Sequence, residues 1–87
     1  MDNLSEQFSQ IYDQYIEQIY RFVYVKVNSQ ELAEDLTSQV FLNAWKTYQK
    51  GGEVKNPRAF LYQIARNIVI DYYRKKGKEK TVSMESI

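Results

Sequence analysis

The chain has no cysteine and no histidine. That removes disulfides, thiolate nucleophiles, imidazole bases and the usual zinc ligands in one stroke. No apolar run approaches the eighteen or so residues of a membrane span, and no signal-peptide pattern opens the chain. A soluble, cytosolic protein without membrane insertion is therefore the default expectation. The single proline, Pro57, and the three glycines, Gly51, Gly52 and Gly77, fall where helices are expected to begin or end. There is no internal repeat and no low-complexity tract. The two adjacent glycines lack the spacing and the following Lys-Ser/Thr of a phosphate-cradling loop. No nucleophile–base pair stands out and nothing suggests a cofactor site, so an enzyme is the reading that fits least.

What the chain does contain is helical periodicity. Its 87 residues suit one small domain, and a hydrophobic fraction of 44% argues against disorder throughout. The spacing predicts a first helix from an N-cap at Ser5 to about Val27, with Phe8, Ile11, Tyr15, Ile19 and Phe22 stepping by three or four residues. Tyr12, Ile16 and Val23 widen that stripe, and the tyrosines of this helix read as half-buried core rather than as a binding surface. The β-branched end FVYVKV resembles a strand, but the unbroken helical period before it decides for helix. A second helix follows Asn28-Ser29. Asn28 with Glu31 fits a capping box, and Ser29 is the alternative cap. Its apolar rows are Leu32, Leu36, Val40 and Ala44, then Ala33, Phe41, Trp45 and Tyr48. Glu31, Glu34 and Asp35 in its first turns complement the helix dipole; as metal ligands they are too few. Its outer face carries Asp35, Ser38, Gln39, Leu42 and Lys46, with Leu42 apolar among polar neighbours.

Residues 49–55 form a wet loop containing Lys50 and Lys55, and a third helix starts at Asn56 as N-cap with Pro57 in the first position. Leu61, Ile64, Ala65, Ile68 and Tyr72 line its apolar stripe. At about 100° per residue, Phe60, Gln63, Asn67, Asp71 and Arg74 fall on the other side, which runs into Lys75, Lys76 and Lys78. An exposed ring, amides and cations are what a protein needs to hold a nucleic-acid strand; a solvated helix with a basic C-terminus is the competing reading. Charge is lopsided in the same sense. Residues 1–40 hold two basic and seven acidic groups, residues 41–87 ten basic and four acidic, within a net charge of +1. The basic half should face something polyanionic. The fold class expected is all-α, a compact antiparallel three-helix domain over residues 5–76, with residues 77–87 as a disordered C-terminal tail or the start of an interdomain linker after a stop at Gly77.

Two stretches together resemble a known family. AEDLTSQVFLNAW (residues 33–45) and, beyond residues 46–55, NPRAFLYQIARNIVIDYYRKK look like region 2 of bacterial RNA polymerase sigma factors, closest to the extracytoplasmic-function class. The resemblance covers roughly residues 8–78. It implies a transcription initiation factor module with two jobs. One is docking on the β′ clamp helices of core polymerase through Asp35, Ser38, Gln39 and Leu42 of the second helix. Asp35 matches the family's docking motif, whereas Ser38-Gln39 stands where the motif has Gln-Glu. The other is recognising and melting the −10 promoter element, with preference for its single-stranded non-template strand. By resemblance Phe60 lies at the upstream edge of the melted DNA, Asn67 at a base-reading position, and Lys50 and Lys55 in the base-capturing loop. Gln63, Arg66, Arg74, Lys75 and Lys76 complete the expected DNA-binding set. The family also implies anti-sigma factors as partners, and no catalytic residue, metal or cofactor. Sigma factors of this class normally continue into a domain that reads the −35 element, so a chain ending at Ile87 reads as a fragment that stops in the linker. The alternatives are a generic basic helical domain of helix-turn-helix type and a helical protein-interaction bundle.

Overall fold

A computed structural model describes residues 3–51 and 54–85, with side chains as far as residue 77. The first turn signal is met at Asn28. Its φ of 53° is left-handed, a conformation that asparagine tolerates better than most residues, and its N–H still donates to the Tyr24 carbonyl at 2.7 Å. This closes α1 (Asn3–Val27). Ser29 then sits in extended backbone and its Oγ accepts from the Leu32 N–H at 3.3 Å, opening α2 (Gln30–Gln49). Of the two caps the sequence allowed, Ser29 is the one used, because Asn28 is already committed to ending α1. At the other end of α2, Lys50 caps the helix and Gly51 takes a φ of 89° that favours glycine. Asn56 Oδ1 accepts from the Ala59 N–H at 3.1 Å, and Pro57 begins α3 (Pro57–Glu85) as expected.

A two-residue connection leaves α1 and α2 no choice but to fold back on each other. Phe8 meets Trp45 with ring centroids 5.1 Å apart and Tyr12 meets Phe41 at 4.8 Å, so the numbers run in opposite directions and the pair is antiparallel. Phe22 meets Tyr62 at 5.3 Å, and the Tyr73 hydroxyl donates to the Lys26 carbonyl. Numbers now rise together, so α3 runs parallel to α1 and antiparallel to α2: an up-down-up bundle in which each helix packs on both others. The described elements are all helices, which makes the domain the all-α, three-helix architecture expected.

The core is Ile19 and Val23 of α1, Ala33, Leu36, Val40, Phe41 and Ala44 of α2, and Leu61, Ala65 and Val69 of α3. Small residues at Ala33, Ala44 and Ala65 let the backbones approach. Several sequence expectations are corrected here. The first helix begins at Asn3, two residues before the expected cap at Ser5. The third does not stop at Gly77; its backbone continues in α3 to Glu85, since one glycine followed by Lys78, Glu79 and Lys80 costs only about 1 kcal/mol. Ile11, Ile64 and Ile68, expected inside, are only half-buried, while Val69, absent from the expected stripe, is buried. On α3 the reason is the phase of the helix against its neighbours. Its contact line follows Leu61, Ala65 and Val69 at successive i, i+4 steps, and Ile64 falls on the flank. Among the tyrosines of α1, Tyr15 and Tyr20 are half-buried as expected, but Tyr12 and Tyr24 are exposed.

Candidate nucleic-acid interface on the third helix

The cap at Asn56 sets the phase of α3, and that phase decides which side chains meet solvent. Gln63, Arg66, Asn67, Asp71, Arg74, Lys75 and Lys76 are all exposed. Gln63, Asn67 and Arg74 follow one another along a single face, two amides leading to a cation. Phe60 differs from the exposed ring expected at the head of this face: it is half-buried and packs against the core. Its neighbour Leu61 is fully buried, and the ring lies on the shoulder between core and solvent, held in one place by that packing. Lys50 and Lys55 are exposed in the loop that enters α3. Gly52 and Glu53, also in that loop, lie outside the described residues.

The cations are lightly restrained. Lys75 Nζ stands 3.7 Å from Asp71 Oδ2, with both side chains more than half exposed, an i, i+4 pair of small energetic weight. Lys76 lies over the Tyr72 ring at 5.9 Å. Neither contact neutralises enough charge to keep these groups from a phosphate.

Other residues on this side of the bundle escaped the sequence reading. Arg58 lies 5.5 Å over the Tyr62 ring, and Lys26 of α1 lies 5.5 Å over the Phe22 ring. Between α1 and α3 a recess of about 410 Å³ is lined by Phe22, Lys26, Arg66, Val69, Ile70 and Tyr73. One signal pointed towards it: Arg21 and Lys26 are the only basic residues among the first forty, and both fall in the last part of α1. Which helix face Lys26 shares with α3 was a matter of tertiary packing.

The face expected to dock a protein is on α2. Asp35, Ser38, Gln39 and Leu42 are exposed, Leu42 by 53%. Beside them an open groove of about 800 Å³ runs between α1 and α2. Tyr12, Ile16, Phe41 and Trp45 form its apolar floor, and Glu17 and Glu34 also line it. Partial burial, with Glu34 and Tyr24 nearby, raises the Tyr20 hydroxyl above its ordinary 10.0. The Thr37 hydroxyl under the groove is buried without a hydrogen-bond partner. Glu31, Glu34 and Asp35 stay solvent-facing, and among the described residues no three potential ligands converge on a metal site. Nor, among them, is any helix long and apolar enough to cross a membrane.

The chain is 39% identical to the ECF RNA polymerase sigma factor BldN of Streptomyces coelicolor, over 80% of this chain and 27% of that protein. It is 37% identical to the ECF RNA polymerase sigma factor SigM of Bacillus subtilis, over 90% of this chain and 47% of that protein. SigX of the same organism, also an ECF RNA polymerase sigma factor, is 29% identical over 84% of this chain and 38% of its own length. The chain thus spans less than half the length of each of these relatives. No solved structure matches it significantly. The family profile of sigma-70 region 2 matches residues 11–79, a span that takes in most of α1, all of α2 and the exposed face of α3. With the matching stretch covering the greater part of the bundle, this chain belongs to the sigma-70 region 2 family.

Proposed function

We propose that the chain is the part of a transcription initiation factor that docks on core RNA polymerase through α2 and holds the melted −10 promoter element on α3. The observation that carries this reading is the exposed row Gln63, Asn67 and Arg74, ending in Lys75 and Lys76, in a chain of the sigma-70 region 2 family. Amides on a helix face can read base edges, and the cations add affinity that ignores sequence. Opening a duplex also needs something to offset unstacking, a few kcal/mol per step. In this reading Phe60, braced against the core, supports the upstream edge, and the loop with Lys50 and Lys55 receives the expelled base. Asp35 and Leu42 make the principal contacts with the β′ clamp helices, with Ser38 and Gln39 beside them. Core polymerase and DNA would place the chain in the cytoplasm, and an anti-sigma factor is a further partner of the kind this role attracts.

The helix-turn-helix alternative wants a turn of about three or four residues before its recognition helix. Residues 50–56 separate α2 from α3, too many for that motif.

The test is binding of the chain to a β′ clamp-helix fragment by titration calorimetry. Asp35→Ala and Leu42→Lys should each weaken binding by about tenfold or more while leaving the helical circular dichroism unchanged, because both positions face solvent. Wild-type affinity in both variants would remove the outer face of α2 as the docking surface.

A further inference from the structure

The two recesses described above have opposite character. The α1–α2 groove has Glu17 and Glu34 among its lining residues, which disfavours a polyanion there. The α1–α3 recess has Lys26 and Arg66 and no carboxylate at all among its lining residues. Its remaining walls are the rings of Phe22 and Tyr73 and the aliphatic side chains of Val69 and Ile70. Ile70 is 48% exposed and Tyr73 45%, so an apolar mouth is open to solvent between two cations.

We infer that this recess is a second contact for single-stranded nucleic acid, in which one unstacked base enters between Phe22, Ile70 and Tyr73 while Lys26 and Arg66 hold the flanking phosphates. The inference rests on the reading of α3 as a strand-binding helix and extends its surface onto α1. Three observations converge. The chemistry is the pairing that non-specific strand binding uses, a ring platform with cations beside it. The recess is continuous with the exposed face: Arg66 adjoins Asn67, and Ile70 stands one turn from Arg66 and one from Arg74. The walls are also fixed in place. The Tyr73 hydroxyl donates to the Lys26 carbonyl, one of the terminal carbonyls of α1 that has no partner within its own helix, so the last turn of α1 is tied to α3 at the recess itself. An acidic peptide would satisfy the cations, but it would leave unexplained why the exposed Tyr73 ring stands beside the exposed Ile70 at the mouth.

The experiment is fluorescence anisotropy of a labelled oligothymidylate about twelve nucleotides long, a length within the range one small domain covers, titrated with the full chain at several salt concentrations. Ile70→Glu places a carboxylate in the mouth and should weaken binding by about tenfold or more. Lys26→Ala should weaken it about fivefold and reduce the salt slope by about 0.7. An oligonucleotide carrying 5-iodouracil should photocrosslink to Tyr73 or Phe22. If Ile70→Glu unfolds the chain, the Lys26→Ala titration and the crosslink map decide alone. Wild-type binding in both recess variants, with Arg74→Ala still weakening the complex, would overturn the recess and leave the α3 reading standing. A polyglutamate peptide that binds as tightly, with the same dependence on Lys26 and Ile70, would replace the nucleic acid by an acidic protein partner. Failure of the wild type to bind any single strand would overturn the strand-binding reading of α3 and the recess with it.

Discussion

Leu61→Ala should cost about 3–4 kcal/mol of unfolding free energy and lower the thermal midpoint by roughly 15–25 °C. Leu61 is fully buried where α3 meets the other two helices, with Ala65 and Val69 below it. Those neighbours are small or β-branched and cannot swing in to fill the space, so most of the cavity persists. A small domain buries a modest fraction of its surface and has little stability to spare, so the loss approaches its whole margin. Ile64→Ala, on the flank of the same helix, should cost less, about 1–2 kcal/mol, because part of its side chain already meets water. Urea titrations of both variants read the difference directly. Equal losses would mean that α3 is rotated about its axis relative to the phase described above.

The second large effect concerns charge. The triple variant Arg74→Ala, Lys75→Ala, Lys76→Ala should bind single-stranded non-template −10 DNA about a hundredfold more weakly near 0.1 M salt. Each lost phosphate contact on a single strand removes about 0.7 from the salt slope, which at that salt concentration is about fivefold in affinity. The slope should therefore fall by about two. The loss should be the same for a scrambled strand, because cations on phosphates carry no sequence information. Asn67→Ala should behave in the opposite manner, keeping most affinity for the scrambled strand while flattening discrimination among bases. Asp71→Asn should raise affinity slightly, since it removes a negative charge and releases Lys75 from its 3.7 Å contact. Anisotropy titrations over a salt series separate these patterns. A triple variant with an unchanged slope would place the strand away from the end of α3.

The face proposed for docking and the face proposed for the strand lie on different helices, and the charge is distributed along the chain in the same sense. The first forty residues carry seven acidic groups against two basic ones, and they build α1 and the first half of α2. The basic residues begin at Lys46 and dominate α3. The bundle thus has a predominantly acidic, partly apolar side and a basic side, with Arg21 and Lys26 as the exceptions that carry positive charge onto the end of α1.

Much of this was legible from local chemistry. A cap at Asn56 followed by Pro57 can start a helix wherever it occurs, since the hydrogen bond runs only from Ala59 N–H to Asn56 Oδ1. Helical spacing of apolar residues predicts three helices, and a short break at Asn28-Ser29 predicts that the first two reverse. Exposure of Gln63, Asn67 and Arg74 needs only the helical period, and so does the outward direction of Asp35 and Leu42. What local chemistry leaves open is any question with two answers of similar cost. Asn28 and Ser29 can each cap a helix, and the choice fell to Ser29 because Asn28 had to turn left-handed for α1 to end there. Gly77 can end a helix or be carried through one, and α3 carries it through.

The sequence by itself determined the number of helices, the start of α3 and the chemistry of the exposed row on α3, because these depend on period and capping within a few residues. Tertiary structure alone decided which residues form the centre of α3. Packed against its two neighbours, that helix buries Leu61, Ala65 and Val69 and leaves Ile64 and Ile68 half-buried, a choice among apolar positions that the helical period alone leaves open. It alone decided that Phe60 leans on the core. It alone brought Phe22 and Lys26 beside Arg66 and Tyr73, residues some forty positions away, because a recess between two helices exists only once both have packed.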